Sequence, residues 1–441
     1  MNIRAVTRAI GQRQQRRRRN NMRNIINLNK DWKFIQKDAG LPNSLPTDWT
    51  SVDLPHTWNA VDGHDGNGSF DRGTYWYAKT FATPKQAFGG NRVFVEILAA
   101  GQQATVYVNG TEVVYHEGGY STFRADVTDL CKEDGENLLV VACSNERKES
   151  VYPQSADFTF YGGLYRGVNI ISVPDAHFDL EYYGGPGIQV TPTPCDCGGA
   201  MFDIVTYTKG IDENFTVLYS ICDAEGKEVA GGCRPADDTK IKLFVPDAKK
   251  WEIDDPYLYT VTALLQRRNE AFDEVSARVG VRSFSCDPDK GFIINGKETP
   301  LRGVSRHQDM LYKGNALSKA DHYHDAELIK ELGANTIRLA HYQHNQYFYD
   351  ACDEMGFVVW AEIPFISVMN KDPEAHQNCI SQMKELIIQN YNHPSICFWG
   401  ISNEILIGGI SEQLVENHKE LNELVKELDP TRLTTIAHVS M

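Results

Sequence analysis

Polar side chains follow the carboxyl-terminal ends of several apolar runs in the last third of the sequence. Asn403 and Glu404 come directly after one such run, and His307 and His341 follow two earlier ones. A carboxyl group beside an amide could protonate a leaving oxygen and hydrogen-bond a sugar hydroxyl, which glycosidic cleavage requires. A single Glu at a strand end is more simply explained as a solvated charge at a helix N-terminus. Several polar, His-bearing strand ends that converge on one mouth favour a site instead.

The elements that must position these residues alternate between buried strands and amphipathic helices from about residue 284. The apolar runs predict strands at 301–304, 335–340, 357–360, 396–400 and 433–437. A helix is predicted over 326–332 and ended by Gly333, and four helices in all separate the five strands. Such an alternation builds a parallel sheet whose functional residues collect at the carboxyl ends of the strands. An open doubly wound sheet is disfavoured, because no Gly-rich phosphate turn follows the first strand.

Two all-β regions precede this part of the chain. Between residues 25 and 173 lie short strands such as 92–97, and the run 104–108 leads into Asn109-Gly110, a strong hairpin signal. Residues 174–283 contain further strands without helical periodicity, and their length fits an immunoglobulin-like sandwich. We therefore expect two sandwiches in front of the parallel sheet.

The charge distribution is uneven. The 441-residue chain has a net charge of −15, and residues 1–24 hold eight Arg with no Asp or Glu. The body of the protein is therefore strongly acidic, which disfavours nucleic acid and anionic membrane as partners. The basic leader 1–24 is not expected to be structured; a nucleic-acid arm, a targeting signal and a true start at Met22 are the alternatives. No window approaches 18 consecutive apolar residues.

Four motifs carry a resemblance to a known family. The segments 301–309, 335–344 and 392–404 resemble successive barrel signatures of glycoside hydrolase family 2, and 157–166 resembles a signature of its first sandwich. The resemblance implies a multidomain fold: a jelly-roll sugar-binding domain (25–173), an immunoglobulin-like β-sandwich (174–283) and a (β/α)8 TIM barrel (284–441). A complete barrel needs about 250 residues. The sequence therefore predicts an incomplete barrel.

The same resemblance implies roles for individual residues. Glu404 matches the general acid/base, and Asn403 matches the residue that hydrogen-bonds the 2-hydroxyl of the sugar. Four further residues are implied to bind or support the substrate: Asp157, His307, Arg338 and His341. For Asp157 a turn residue that caps the loop at 162–163 is the alternative.

Two departures from the family pattern affect the expected chemistry. The best-known members hold magnesium near the acid/base, but Ile366 and Val368 occupy the matching positions here and cannot ligate a hard cation. We therefore expect no metal there and no cofactor. The family's nucleophile is a Glu at the end of the seventh barrel strand, so the 441-residue chain is expected to be an inactive fragment that lacks it. Glu362, on strand three, is interpreted as a supporting charge.

The resulting hypothesis is a glycoside hydrolase that cleaves terminal β-D-galactosides with retention of configuration. A β-glucuronidase or another family 2 glycosidase is the alternative within the family, and a non-catalytic carbohydrate-binding protein is the alternative outside it. Ten Cys without framework spacing predict a reducing, cytoplasmic location. The unpaired edge strands of an incomplete barrel predict association, including homo-oligomers.

Overall fold

The computed structural model describes residues 22–35, 39–62, 64–66, 69–84, 91–196 and 198–439. The first region folds into two antiparallel sheets, with orders β1-β10-β5-β8 and β3-β2-β4-β9-β6-β7. Its strands are β1 (Asn24–Asn27), β2 (Trp32–Ile35), β3 (Thr50–Val52), β4 (Thr74–Ala82), β5 (Asn91–Ile97), β6 (Gln103–Val108), β7 (Thr111–Glu117), β8 (Phe123–Asp126), β9 (Glu136–Ser144) and β10 (Val168–Pro174).

Side-chain alternation explains why this region forms a sandwich. Every second residue of β6 is buried, so its apolar side chains face the core between the sheets. The predicted hairpin is confirmed: Asn109 and Gly110 join β6 to β7 with φ values of 51° and 86°. Asn and Gly tolerate this left-handed conformation better than other residues.

The second region is also a sandwich, with sheets β12-β13-β17 and β16-β15-β18-β19 around one apolar core. The short strands β11 and β14 pair beside it. The strands are β11 (His177–Phe178), β12 (Ile188–Pro194), β13 (Ala200–Thr206), β14 (Thr208–Lys209), β15 (Phe215–Cys222), β16 (Glu228–Pro235), β17 (Lys240–Val245), β18 (Tyr259–Arg267) and β19 (Glu270–Val279).

The sequence predicted that the third region begins with the parallel sheet. This prediction is wrong, because a small antiparallel sheet comes first. It consists of β20 (Phe284–Asp287), β21 (Gly291–Ile294) and β22 (Lys297–Glu298). Asn295 and Gly296, with φ values of 53° and 83°, join β21 to β22. This is the same Asn-Gly turn chemistry as in the first sandwich.

The parallel sheet follows, with its five strands in sequence order. Its elements are β23 (Gly303–Arg306), α1 (Lys319–Glu331), β24 (Thr336–Leu339), α2 (Gln346–Met355), β25 (Val358–Glu362), α3 (Pro373–Asn390), β26 (Ile396–Asn403), α4 (Glu412–Leu428) and β27 (Leu433–Ala437). Each helix begins at a capping side chain: Ser318, Asn345, Asp372 and Ser411. Within the described residues the barrel is not closed, as predicted.

The boundaries of the predicted strands shift in two informative places. The first strand lies two residues later than predicted, and β26 extends to Asn403 rather than ending at Gly400. The extension is stabilised by the loop after β25, because the Asn403 amide donates to the Phe365 carbonyl at 2.9 Å. As a result of this extension, Glu404 is the first residue after β26. Glu362 is the last residue of the neighbouring strand β25.

The boundary of the basic leader needs a correction. Most of residues 1–24 lie outside the described residues, but Asn24 begins β1, and Arg23 forms an ion pair with Asp273 of the second sandwich at 2.7 Å. The Asp273 side chain is completely buried, so it requires a counter-charge. Arg23 supplies it and joins the two sandwiches.

No helix in the described parts of the chain is long and apolar enough to cross a membrane.

Candidate active site

Glu404 lies where β26 ends and is held in an unusual backbone conformation. Its φ and ψ are 47° and 22°, in the left-handed region that residues other than glycine rarely adopt. Two hydrogen bonds impose this conformation: its amide donates to the Ala437 carbonyl at 2.9 Å, and the Ile407 amide donates to its carbonyl at 3.0 Å. The side chain is exposed and has no hydrogen-bond or ion-pair partner within the described part of the chain. A strained residue with a free carboxylate is typical of a functional position.

A second carboxylate lies on the neighbouring strand but in the opposite environment. Glu362 is completely buried, and both of its oxygens accept hydrogen bonds from Arg338, Oε1 from Nη2 at 2.8 Å and Oε2 from Nε at 3.2 Å. Oε1 also lies 2.6 Å from Nδ1 of His341. Because an ionised carboxylate only accepts, Nδ1 of His341 carries the proton and donates it. The Nε2 atom of His341 makes no hydrogen bond within the described residues and is left for a ligand.

Arg338 connects this buried cluster to the acid. Its Nη2 donates to Oδ1 of Asn403 at 2.5 Å, and its guanidinium lies 4.9 Å from the ring centre of Trp360. Because Oδ1 of Asn403 accepts from Arg338, the amide group of Asn403 is oriented as a donor to a ligand. The sequence thus places a fixed N–H donor directly before Glu404.

His307 extends the site towards the first strand of the sheet. Its ring makes an edge contact with His341 at a centroid distance of 5.1 Å, and its Nδ1 lies 3.0 Å from the Tyr342 hydroxyl. Tyr342 is fixed in turn by stacking on Tyr120 of the first sandwich at 4.3 Å. Burial lowers the pKa of His307, and the nearby His341 lowers it further, while Asp309 and Asp157 oppose the shift. His307 is therefore neutral around pH 7 and can accept or donate a hydrogen bond.

A loop of the first sandwich completes this side of the site. Phe158 contacts the rings of His307 and His341 at centroid distances of 5.0 and 6.1 Å. The adjacent Asp157 is exposed, and its charge acts on His307. Further along the loop, the Tyr161 hydroxyl donates to Asp309 after the first strand at 2.9 Å. The first sandwich therefore contributes side chains to the same mouth as the parallel sheet.

Sequence models of one family match all three regions of the chain. The glycosyl hydrolases family 2 sugar-binding domain matches residues 25–174, a second model described as glycosyl hydrolases family 2 matches 188–282, and the family's TIM barrel domain matches 288–441. The chain belongs to glycosyl hydrolase family 2. The family and the order of its domains, which the motifs predicted, are thereby confirmed.

Individual relatives in this family differ in the substrate named for them. The chain is 64% identical to an FMN-binding β-glucuronidase of Facaelibacterium prausnitzii L2-6, and the two structures superpose with a TM-score of 0.92. The superposition covers 95% of this chain and 64% of that protein. It is 34% identical to a β-glucuronidase of Bacteroides fragilis and 31% identical to a β-galactosidase of Bacteroides ovatus. These alignments cover 94% and 92% of the chain. The chain spans 61% and 53% of the lengths of those two relatives.

The residues that the family resemblance implied are brought together in large part. Asn403, Arg338 and His341 form one hydrogen-bonded group with Glu362, and His307 contacts His341. Glu404 follows Asn403 directly, and Asp157 lies beside the aromatic ring that contacts both histidines. No substrate contact tests these six roles, so they stay predictions.

Three contributors were not assigned from the sequence. Phe158, Tyr161 and Tyr342 lie inside the quoted family motifs, but their contacts depend on the packing of the first sandwich against the barrel. Their aromatic character was the only available signal, and an aromatic residue in a motif is more often part of the core. Glu362 was interpreted as a supporting charge, and its burial and contacts agree with that interpretation.

Two places in this family 2 chain bear on metal binding. At the positions where the best-known members ligate magnesium, Ile366 is buried and Val368 is half-exposed, and neither offers an oxygen donor. Elsewhere in the described residues, Asp350, Asp353 and His393 bring possible ligand atoms within 4.8 Å of one another. Both ring nitrogens of His393 are already engaged, by Asp353 at 2.6 Å and by Gln346 at 3.0 Å. This cluster therefore joins α2 to the loop that precedes β26.

Proposed function

We propose that the complete protein is a retaining glycosidase that hydrolyses β-glucuronides, with Glu404 as its general acid/base. The observation that carries the chemistry is the free carboxylate of Glu404 beside an Asn403 amide whose direction is fixed by Arg338. The substrate is favoured by the 64% identity to the β-glucuronidase of Facaelibacterium prausnitzii L2-6.

In the first step, the Glu404 carboxyl donates its proton to the glycosidic oxygen while the bond between that oxygen and the anomeric carbon breaks. A carboxylate nucleophile forms the bond to the anomeric carbon, and the aglycone leaves as an alcohol. In the second step, the Glu404 carboxylate takes a proton from water, whose oxygen displaces the nucleophile and restores the β configuration. The amide of Asn403 donates to the sugar's 2-hydroxyl during both steps.

Glu362 is unsuited to be the nucleophile of this scheme. A nucleophilic carboxylate must reach the anomeric carbon and lie about 5–5.5 Å from the acid. Glu362 is completely buried, and its oxygens are occupied by Arg338 and His341. We therefore assign it the task of orienting these two residues, and we propose that the nucleophile is supplied from outside the described residues, as the family implies.

The histidines and the loop of the first sandwich fit the recognition of sugar hydroxyls. His341 presents Nε2, and His307 is held neutral by burial, so both rings can hydrogen-bond hydroxyl groups. Asp157 is an exposed acceptor next to them. These features do not separate glucuronides from galactosides, because both sugars offer hydroxyl groups. The β-galactoside expected from the motifs remains the second candidate, favoured by the 31% identical relative of Bacteroides ovatus.

The proposal is tested by kcat/KM of the complete protein for 4-nitrophenyl β-D-glucuronide and 4-nitrophenyl β-D-galactoside. The two substrates share a leaving group, so their ratio reports sugar recognition alone. We expect the glucuronide to be preferred by about 100-fold or more, since sites that bind a charged or polar group reject its analogue strongly. If the galactoside is preferred, the protein is a β-galactosidase and not a β-glucuronidase. If neither glycoside is hydrolysed, the proposed glycosidase function is wrong.

The location and assembly of the protein are proposals that accompany this function. A cytoplasmic location is tested by cell fractionation, and association into homo-oligomers is tested by light scattering. Activity in the external medium, or a monomeric mass at micromolar concentration, would contradict the respective proposal.

A further inference from the structure

Arg166, in the first sandwich, is a buried cation without a counter-charge. Three Arg residues of the described chain are buried, with exposed fractions of 5% for Arg166, 6% for Arg306 and 4% for Arg432. Arg306 forms an ion pair with Asp325 at 2.6 Å. Arg432 forms one with Asp429 at 2.7 Å. Arg166 has no such carboxylate among the described residues and donates to carbonyl and amide oxygens instead. A buried charge without a counter-charge lowers stability, so a contribution to stability does not explain this residue.

The guanidinium of Arg166 contacts both loops that carry the histidines of the candidate site. Its Nη2 donates to the Gln343 carbonyl at 2.9 Å and lies 3.5 Å from Oε1 of Gln308. Gln308 directly follows His307, and Gln343 lies two residues after His341. Both glutamines are buried, with exposed fractions of 1% and 3%. One cation of the first sandwich is thus anchored to the loop after β23 and to the loop after β24.

Gln308 also joins these two loops directly. Its Oε1 accepts a hydrogen bond from the Asn345 amide at 3.1 Å, and Asn345 caps α2 at the end of the loop after β24. A guanidinium holds its donors in a fixed planar arrangement, so it orients several acceptors at once. The distance between the two loops therefore depends on these contacts. So does the separation of 5.1 Å between the ring centres of His307 and His341.

A second route leads from Arg166 to His307 through two stacked tyrosines. Nη1 of Arg166 donates to the Tyr120 carbonyl at 2.7 Å. The Tyr120 ring stacks on Tyr342 at a centroid distance of 4.3 Å. The Tyr342 hydroxyl lies 3.0 Å from Nδ1 of His307. Both terminal nitrogens of the guanidinium are therefore linked to His307.

We propose that Arg166 is a positioning residue of the sugar subsite, which holds the loops after β23 and β24 so that His307 and His341 bind one sugar together. The inference rests on the proposed glycosidase function, in which these histidines recognise sugar hydroxyls. None of the hydrogen bonds of Arg166 within the described residues reaches β26, which leads into the acid Glu404. Loss of Arg166 should therefore weaken sugar binding and leave the chemical step largely intact.

The first sandwich offers a matched control in Arg124, whose side chain is 10% exposed. Its Nη1 donates to the carbonyls of Leu180 and Gly185 at 3.0 and 2.9 Å. Its Nε donates to Glu96 at 2.7 Å. Arg124 thus connects the first sandwich to the segment before β12. Among the described residues it has no hydrogen bond to the loops after β23 and β24.

The test measures binding and turnover separately in the complete protein. Calorimetry gives the Kd of 4-nitrophenyl 1-thio-β-D-glucuronide, whose sulfur-linked aglycone resists hydrolysis, and steady-state kinetics give KM and kcat for the oxygen-linked glucuronide. The corresponding galactosides replace both if that sugar is preferred. In Arg166→Met, which fills similar space without donors, we expect Kd and KM to rise by about 10-fold, since misplaced hydrogen bonds weaken binding. The value of kcat should fall by less than about 3-fold. Arg124→Met should leave all three constants within about 2-fold, because its contacts are independent of the site.

A second variant, Gln308→Leu, keeps Arg166 and removes the side-chain link between the two loops. Its Kd should rise by about 3-fold or more. The double variant Arg166→Met/Gln308→Leu should lose less affinity than the two single variants combined, because both substitutions act on the same contacts. Urea denaturation establishes that each variant is folded.

An unchanged Kd in folded Arg166→Met, or in Gln308→Leu if Arg166→Met does not fold, would overturn the positioning role. An equal rise of Kd in Arg124→Met would also overturn it, because a general loosening of the first sandwich would then explain the result. A fall in kcat with an unchanged Kd would contradict it as well and connect Arg166 with the chemical step. Binding of the thioglycoside without hydrolysis of either oxygen-linked glycoside would overturn the proposed function and leave the positioning role standing.

Discussion

The two carboxylates at the ends of β25 and β26 have opposite environments. Glu362 is completely buried and accepts hydrogen bonds from Arg338 and His341, whereas Glu404 is exposed and its carboxylate is free within the described residues. A proton donor must reach the substrate and exchange its proton with solvent, which only the second environment permits. A buried carboxylate in an ion pair instead fixes the direction of its partners. The two environments therefore support the different tasks that we propose for these two Glu residues.

The largest effect on catalysis is expected when Glu404 is replaced by Gln, which has no proton to donate. In the complete protein, Glu404→Gln should lower kcat for substrates with poor leaving groups by roughly 10²–10⁴-fold, because these require protonation of the departing oxygen. Substrates with activated aryl leaving groups should lose less. Steady-state kinetics on an alkyl and a dinitrophenyl glycoside measure this difference. The exposed Glu412→Gln is the control, and equal losses on both substrates would contradict the acid role.

The same substitution at Glu362 should chiefly affect stability. Glu362→Gln leaves Arg338 without its buried counter-charge, which we expect to lower the free energy of unfolding by about 3 kcal/mol. Urea denaturation at pH 7 measures the change. Glu354→Gln, which breaks a half-exposed ion pair with Arg278, should cost less than about 1 kcal/mol. Equal stability of Glu362→Gln and the unmodified protein would show that the buried cluster is not required for the fold.

Loss of the oriented amide should give an intermediate effect on catalysis. Asn403→Ala removes the donor that Arg338 aligns, and we expect kcat/KM to fall by about 10-fold to 100-fold. A substrate that lacks the 2-hydroxyl should lose little further rate, because the contact is already absent. The exposed Asn422→Ala serves as the control. An equal penalty on the 2-deoxy substrate would assign Asn403 a purely structural role.

The smallest effect concerns the pH dependence of stability. The pKa of His307 lies below its ordinary value of 6.5 in the folded protein, chiefly through burial. The unfolded chain therefore binds this proton more tightly, so the stability that depends on neutral His307 is fully present above about pH 6.5 and decreases as the pH falls below it. His307→Gln should therefore reduce the stability that is lost between pH 7 and pH 5. The control His324→Gln, at an exposed position, should leave this loss of stability unchanged. If the loss is also unchanged in His307→Gln, His307 does not cause it.

The order of the strands and domains could be predicted from the sequence better than the contacts between them. The strand of residues 433–437 was predicted with the boundaries that β27 has, because a short apolar run between polar segments is a local signal. The extension of β26 to Asn403 was missed, since it depends on the loop of Phe365. The Arg338–Glu362 pair joins residues 24 positions apart on adjacent strands, and no local pattern specifies it.

The contribution of the first sandwich to the site was predicted only in part. The family motif indicated Asp157, but the contacts of Phe158 with two barrel histidines require the docking of one domain on another. These two contacts join residues that are 149 and 183 positions apart in the sequence. Composition and periodicity describe each domain separately, so they cannot give this information.

The division of tasks between the two carboxylates is tested most directly by chemical rescue. Replacement of a general acid/base by Ala leaves a glycosyl intermediate that water attacks slowly, and a small anion such as azide can attack it without base assistance. In the complete protein, we expect azide to restore turnover of an activated aryl glycoside by Glu404→Ala and to give a β-glycosyl azide. Azide should have no such effect on Glu362→Ala. Rescue of Glu362→Ala, together with no rescue of Glu404→Ala, would contradict the account.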